Sequence, residues 1–108
     1  MAGGIASSLL RLRDQRERIL PNLGDCAWTM LLILWSEKRK LHVSNLCDGC
    51  HAPATTALRH LGSLERKGLV ERVPDPDGLR RAHIALTIHA LDKLNAYAGA
   101  IEPLELAA

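Results

Sequence analysis

Thr55, Thr56, Arg59 and Ser63 fall on one side of a helix drawn from about 53 to 67. Short hydroxyl side chains let a helix approach a phosphate backbone closely and bond to phosphate or base edges. An arginine can grip guanine through two parallel hydrogen bonds. The chemistry on offer is recognition of a nucleic-acid groove. A solvated helix face carries the same residue types, so the surrounding pattern has to decide. His60 stands on the border of this set: outward it joins the polar face, inward it closes the edge of a core. Arg80 and Arg81 follow the turn-forming run Pro74-Asp75-Pro76-Asp77-Gly78, and guanidinium groups on such a turn suit a narrow groove of negative potential.

A second constellation is Cys47-Asp48-Gly49-Cys50-His51. Read literally it is the C-x-x-C-H attachment signature of c-type haem, which would require export and an axial partner. A zinc site on Cys47, Cys50 and His51 lacks a fourth ligand unless Cys26 or His42 arrives by folding, and structural zinc usually shows paired ligand clusters. A thiol switch is a third reading, since Cys47 and Cys50 stand three residues apart in a short helix, where oxidation would distort what lies above. The fourth is two small hydrophobes in a reducing compartment, with Cys26 packed in the core. No Gly-rich phosphate loop, HExxH or GxSxG is present, and the five histidines (42, 51, 60, 83, 89) show no ligand spacing. The expectation is no enzyme, no metal and no cofactor.

These side chains need elements to hold them. Ile5 to Leu20 repeats Leu9, Leu12, Arg16 and Ile19/Leu20 at helical spacing. Its Arg11, Arg13, Arg16 and Arg18 alternate with Asp14 and Glu17, the composition of a solvated face with i,i+3 and i,i+4 pairs. Pro21, Asn22 and Gly24 break the chain, and Asp25 is placed to cap a core helix over Cys26–Lys38. Its expected buried face is Cys26, Ala27, Met30, Leu31, Leu34 and Trp35. Leu41–Val43 reads as an extended link, and Ser44 as the cap of a short helix, Asn45–Cys50. Pro53 suits the first position of the next helix, whose inward face would be Ala57, Leu58, Leu61 and Leu64. Gly68 ends it in a left-handed conformation. Leu69–Val73 and Ala82–Leu86 flank the turn as strands. Thr87 caps a last helix from Ile88 to about Ala100, and Pro103 stops anything further.

Composition sets the limits. A chain of 108 residues, 47 % hydrophobic and 24 % charged without a single Phe, can build one small domain with an aliphatic core. The longest apolar run, Ala27–Trp35, is interrupted by Thr29 and is far shorter than the ~20 residues of a membrane span. Met1–Leu12 has neither the charge nor the apolar stretch of a secretion signal, and the expected location is the cytoplasm. The net charge is +2, and residues 52–83 hold six basic groups and four acids. The whole excess therefore sits in the stretch that would read DNA.

The order helix, glycine stop, strand, basic turn, strand over Ala52–Thr87 is that of a winged helix-turn-helix. The string LERKGLVERVPDPDGLRR, followed by Leu86-Thr87, resembles the MarR-type winged helix-turn-helix regulators, here as a short member. The match is good over 43–87. The resemblance implies a mostly α domain with a small β-hairpin, spanning 1–108. The recognition helix (about 53–67) would enter the major groove, and the wing (about 74–82) would lie at the minor groove. Thr55, Thr56 and Arg59 take the groove-facing positions, joined by Ser44, Pro53, His60 and Ser63. Arg80 takes the wing arginine and Asp77 the acid that orients it. Gly78-Leu79 makes their spacing one residue longer than usual, which brings in Arg81 as the substitute. Terminal helices at about 5–20 and 87–100 would dimerise the chain on an inverted-repeat operator, with no membrane role and an open question of a small-molecule effector. A winged-helix module that binds protein is the alternative, and a redox-responsive regulator through Cys47/Cys50 is a further layer on the first.

Overall fold

The computed structural model describes residues 2–74 and 82–106. It is mostly helical with a small antiparallel sheet, the winged helix-turn-helix expected. Five helices are described: α1 (Ala2–Ile19), α2 (Asp25–Glu37), α3 (Val43–Gly49), α4 (Ala54–Arg66) and α5 (Ile88–Leu106). Three strands join them: β1 (Leu41–His42), β2 (Val70–Val73) and β3 (His83–Leu86). The chain divides into two compact units, Gly24–Leu91 and a second drawn from Met1–Leu23 and Asp92–Ala108.

Within Gly24–Leu91, α2 is the hub. It touches α3, α4 and β3, and Ala27, Trp28, Met30, Leu31 and Leu34 are buried. Leu46 of α3, Ala57, Leu61 and Leu64 of α4, and Leu41 and Ile84 of the sheet complete an aliphatic core. Trp28, outside the expected face, is buried, whereas Cys26 and Trp35 are half-buried. In the other unit Leu20, Leu23, Leu94, Tyr97 and Ser8 are buried, and the Arg11 guanidinium donates to the Ser8 hydroxyl at 3.1 Å.

The sheet has the order β1-β3-β2, so the stretch read as a link at Leu41 is a third strand. Leu41 pairs with Ile84, and His42 with His83. On the other side Val70 pairs with Leu86 and Val73 with His83. Two residues are too few for periodicity to reveal; only the tertiary pairing makes them a strand.

The helix ends depart from expectation in instructive ways. Gly24, not Asp25, is the cap of α2, and Asp25 is its first helical residue, where its charge still meets the positive end of the helix dipole. His42, not Ser44, stands at the cap of α3, and Pro53 caps α4 one residue before the position expected. Neither makes a side-chain capping bond. Thr87 does cap: its hydroxyl accepts the Ala90 N–H at 3.1 Å. Helix α5 continues through Pro103 to Leu106. A proline removes one i→i−4 bond and crowds the carbonyl four residues back.

Candidate nucleic-acid interface

Helix α4 is aimed by the elements at its two ends. At its start, α3 ends at Cys50, and His51 turns the chain with φ 55°, a left-handed conformation that is uncommon outside glycine. The nearby Gly49 has a different reason to lack a side chain: a Cβ there would come within 2.6 Å of the Ile33 Cδ1. Glycine thus lets α3 lie directly on α2. At the far end of α4, Gly68 adopts φ 72°. The Gly68 N–H donates to Glu65 and the Leu69 N–H to Leu64, both at 3.0 Å, which is the paired bonding of a Schellman stop. The Thr87 hydroxyl then donates to the Gly68 carbonyl at 2.7 Å, and the Thr87 N–H to the Leu69 carbonyl at 3.2 Å. One threonine ties the end of α4, the start of β2 and the start of α5.

The outward stripe of α4 follows from which residues are inward. Ala57, Leu61 and Leu64 are buried, and Thr55, Leu58, Arg59 and Arg66 are exposed. Thr56, His60 and Ser63 share a half-buried flank. His60 is half-buried, its ring beside Gly24 at the start of α2, where an added Cβ would lie 3.8 Å from the ring. Leu58, read from the sequence as inward, is 48 % exposed. At about 100° per residue it stands on the shoulder of the buried arc, not within it. Ser44 is exposed on α3 and Pro53 at the start of α4. Ser44 also lines an open recess of about 340 Å³ with His42, Val43 and Ala82. Beside it the His42 and His83 rings stack at 4.1 Å, tilted by 36°.

The charges on this face are sorted by pairing. Arg72 of β2 grips Glu65 of α4 with two contacts of 3.0 Å, so that carboxylate no longer opposes an anion. Among the described residues no hydrogen bond or ion pair engages Arg59 or Arg66. The Lys40 ammonium donates to the Pro74 carbonyl at 3.4 Å, fixing the base of the wing. Asp77, Arg80 and Arg81 lie outside the described residues. No local sequence signal announces the Arg72–Glu65 and Lys40–Pro74 contacts, which depend on pairing across the fold.

All three cysteines meet where α3 lies on α2. The Cys50 thiol donates to the Leu46 carbonyl at 3.2 Å and lies 3.5 Å from the Cys26 carbonyl. Burial, followed by the hydrogen bond to the Cys26 thiol and the proximity of Cys26 and Cys47, pushes Cys50 up to about 12. Cys47 is raised too, by burial first and then by Cys26 and Asp48. Both are held as neutral thiols, the less nucleophilic form. Among the described residues no group of three or more His, Cys, Asp or Glu is arranged to hold a metal ion. No helix among them is long and apolar enough to cross a membrane.

Comparison with known proteins agrees with this geometry. The family model of the IclR helix-turn-helix domain matches residues 27–74, from the first turn of α2 through β1, α3 and α4 to the end of β2. No curated protein matches the chain in sequence. Among solved structures, the Staphylococcus aureus MepR–DNA complex is 21 % identical with a TM-score of 0.77, over 94 % of this chain and 82 % of that one. Staphylococcus aureus MepR bound to ethidium bromide is 19 % identical with a TM-score of 0.77, over 94 % and 72 %. RV1404 from Mycobacterium tuberculosis is 18 % identical with a TM-score of 0.84, over 98 % and 71 %. At these identities the likeness is one of fold, and it extends over the terminal helices as well as the helix-turn-helix.

Proposed function

We propose that this chain is a sequence-specific, double-stranded DNA-binding transcriptional regulator of the cytoplasm that acts as a homodimer on an inverted-repeat operator. The observation that carries the reading is the outward stripe of α4. It presents Thr55 and the unengaged cations Arg59 and Arg66, while the carboxylate beside them is taken up by Arg72. In a winged helix-turn-helix this helix is the one that enters the major groove. The match to a helix-turn-helix domain and the DNA-bound fold neighbour support it.

Arg59 is the base-reading residue, Thr55 and Ser44 contact phosphate, and Pro53 sets the start of the helix against the backbone. Thr56, His60 and Ser63 take the flank, where phosphate contact is the suitable role. Arg80 or Arg81, with Asp77 as the orienting acid, is assigned to the minor groove. The finer class is MarR-type: the helix-turn-helix itself fits the IclR model, but MepR is a MarR-family regulator and aligns with nearly the whole chain. The terminal helices supply the dimer contact. The chain has no catalytic role in this reading. MepR binds ethidium in one of its solved forms, and an effector of this chain is a matter for ligand screening.

The test is a fluorescence-anisotropy titration against duplexes selected from a randomised library. The wild type is compared with Arg59→Ala at two salt concentrations. Specific binding is expected, steeply weakened by salt because phosphate contacts release counterions. Arg59→Ala should lose roughly ten- to hundredfold in affinity and relax the preference at one base pair. A folded protein that enriches no sequence would overturn the reading in favour of a protein-binding module.

A further inference from the structure

Leu58 is the one large apolar side chain left exposed on α4, with 48 % of its surface in solvent. Its neighbours one turn back are Ala54 and Thr55, and one turn on is Gly62. All are small, so the leucine stands clear of the helix surface. Single surface leucines are common and by themselves mean little. This one is distinguished by its setting. Thr55, Arg59 and Arg66 are exposed on the same outward side. The Arg66 guanidinium lies back over Gly62, where an added Cβ would meet its Nη1 at 3.4 Å. Glu65, the acid on this side of the helix, is engaged by Arg72.

An apolar group among hydroxyls and unopposed cations is a poor match for a protein or lipid partner, which would require further apolar groups around it. It is the complement of one edge in particular. In the major groove the base edges carry donors and acceptors, and thymine alone adds a methyl group, which apolar side chains contact. The cations address phosphate and guanine, and the leucine addresses the methyl.

We infer that Leu58 reads a thymine methyl group in the major groove, so that each operator half-site requires a thymine in addition to the guanine held by Arg59. This rests on the DNA-binding reading above. It adds an apolar determinant that the polar set from the sequence lacks.

The experiment removes the methyl and nothing else. Duplexes selected by the full-length chain are resynthesised with 2′-deoxyuridine replacing one thymine at a time, and each is titrated with wild type and with Leu58→Ala. Truncation at an exposed helical site, to the best helix former, leaves the fold intact, which circular dichroism verifies. One thymine per half-site is expected whose conversion to deoxyuridine weakens wild-type binding about fourfold, the worth of one buried methyl group. Leu58→Ala should bind the two duplexes equally. Wild-type binding that is indifferent to every methyl overturns the inference and leaves the DNA reading standing. So does a methyl effect that persists unchanged in Leu58→Ala. Absence of any selected sequence overturns both.

Discussion

On α4 the Arg59 guanidinium faces solvent, while the Glu65 carboxylate is held by Arg72. Thr55 and Arg59 stand outward as their spacing suggests, whereas His60 leans on Gly24 and Leu58 escapes the core. A helical wheel fixes the centre of each face well and its shoulders poorly, because exposure there depends on what packs alongside. The cysteines make the same point. Cys47 and Cys50 announce themselves by spacing, but Cys26 joins them only through the α2–α3 packing, 24 residues back in sequence. The raised thiol has a consequence for stability. The unfolded chain ionises Cys50 near its ordinary 9.0, while the folded chain keeps it neutral to about 12. The stabilisation from this group is therefore complete below about pH 9 and is lost as pH rises from there towards 12. Denaturant midpoints measured at pH 8 and pH 10.5 should fall with pH in the wild type, and less in Cys50→Ala. The same shielding predicts slow alkylation of Cys50 at pH 7 in the folded protein and fast alkylation in urea. A Cys50 that reacts at the urea rate while folded would contradict the burial described.

At the scale of elements, the joint between α4, β2 and α5 is tied by the hydroxyl and the N–H of Thr87. Gly68 sits at φ 72° with nothing near an added Cβ, so a substitution there meets backbone strain without a clash. Gly68→Ala should cost about 1–2 kcal/mol and Gly68→Asn less, since asparagine tolerates the left-handed region. Thr87→Val should lose a similar amount. It removes the cap on the Ala90 N–H and the donor to the Gly68 carbonyl together. Thr87→Ser should restore most of it, and chemical denaturation of the three variants decides. Gly68 and Thr87 were legible in advance because a left-handed stop and an N-cap are local chemistry. Strand β1 was not, since Leu41–His42 becomes a strand only by pairing with Ile84 and His83. Nor was the passage of α5 through Pro103, where a local stop signal costs one bond but does not end the helix. The boundaries of α3 and α4 shifted by one or two residues. Ser44 stands two residues inside the cap His42, and Pro53 is itself the cap of α4 and not its first helical residue.

The whole molecule exposes its large apolar side chains unevenly. Among the described residues Ile5, Leu9 and Leu10 on α1 and Ile88 and Leu91 on α5 are exposed, Ile88 by 81 % and Ile5 by 65 %. Elsewhere only Leu32 and Leu58 share that property. Leu9, Leu12, Leu91 and Leu94 are the apolar residues the sequence offers for contact on the terminal helices; Leu9 and Leu91 are exposed, Leu12 is half-buried and Leu94 is buried. Concentration of exposed aliphatic groups on the two terminal helices fits an interface between two copies, since a monomer leaves such groups in water at a cost that association recovers. Under the proposed function this matters for DNA as well. Two recognition helices reach successive major grooves, roughly 34–36 Å apart, only if the terminal helices hold the copies together. Leu9→Asp combined with Ile5→Asp places two charges on this surface without touching the buried core. Sedimentation should report about twice the 11.8 kDa chain mass for the wild type and the single-chain mass for the variant. Leu32→Asp, on α2, should sediment as the wild type. The double variant should keep its circular dichroism spectrum and its weak affinity for an isolated half-site while losing the tight binding of a full inverted repeat. If it remains a dimer with unaltered operator affinity, the partner surface lies elsewhere and the terminal helices serve another role.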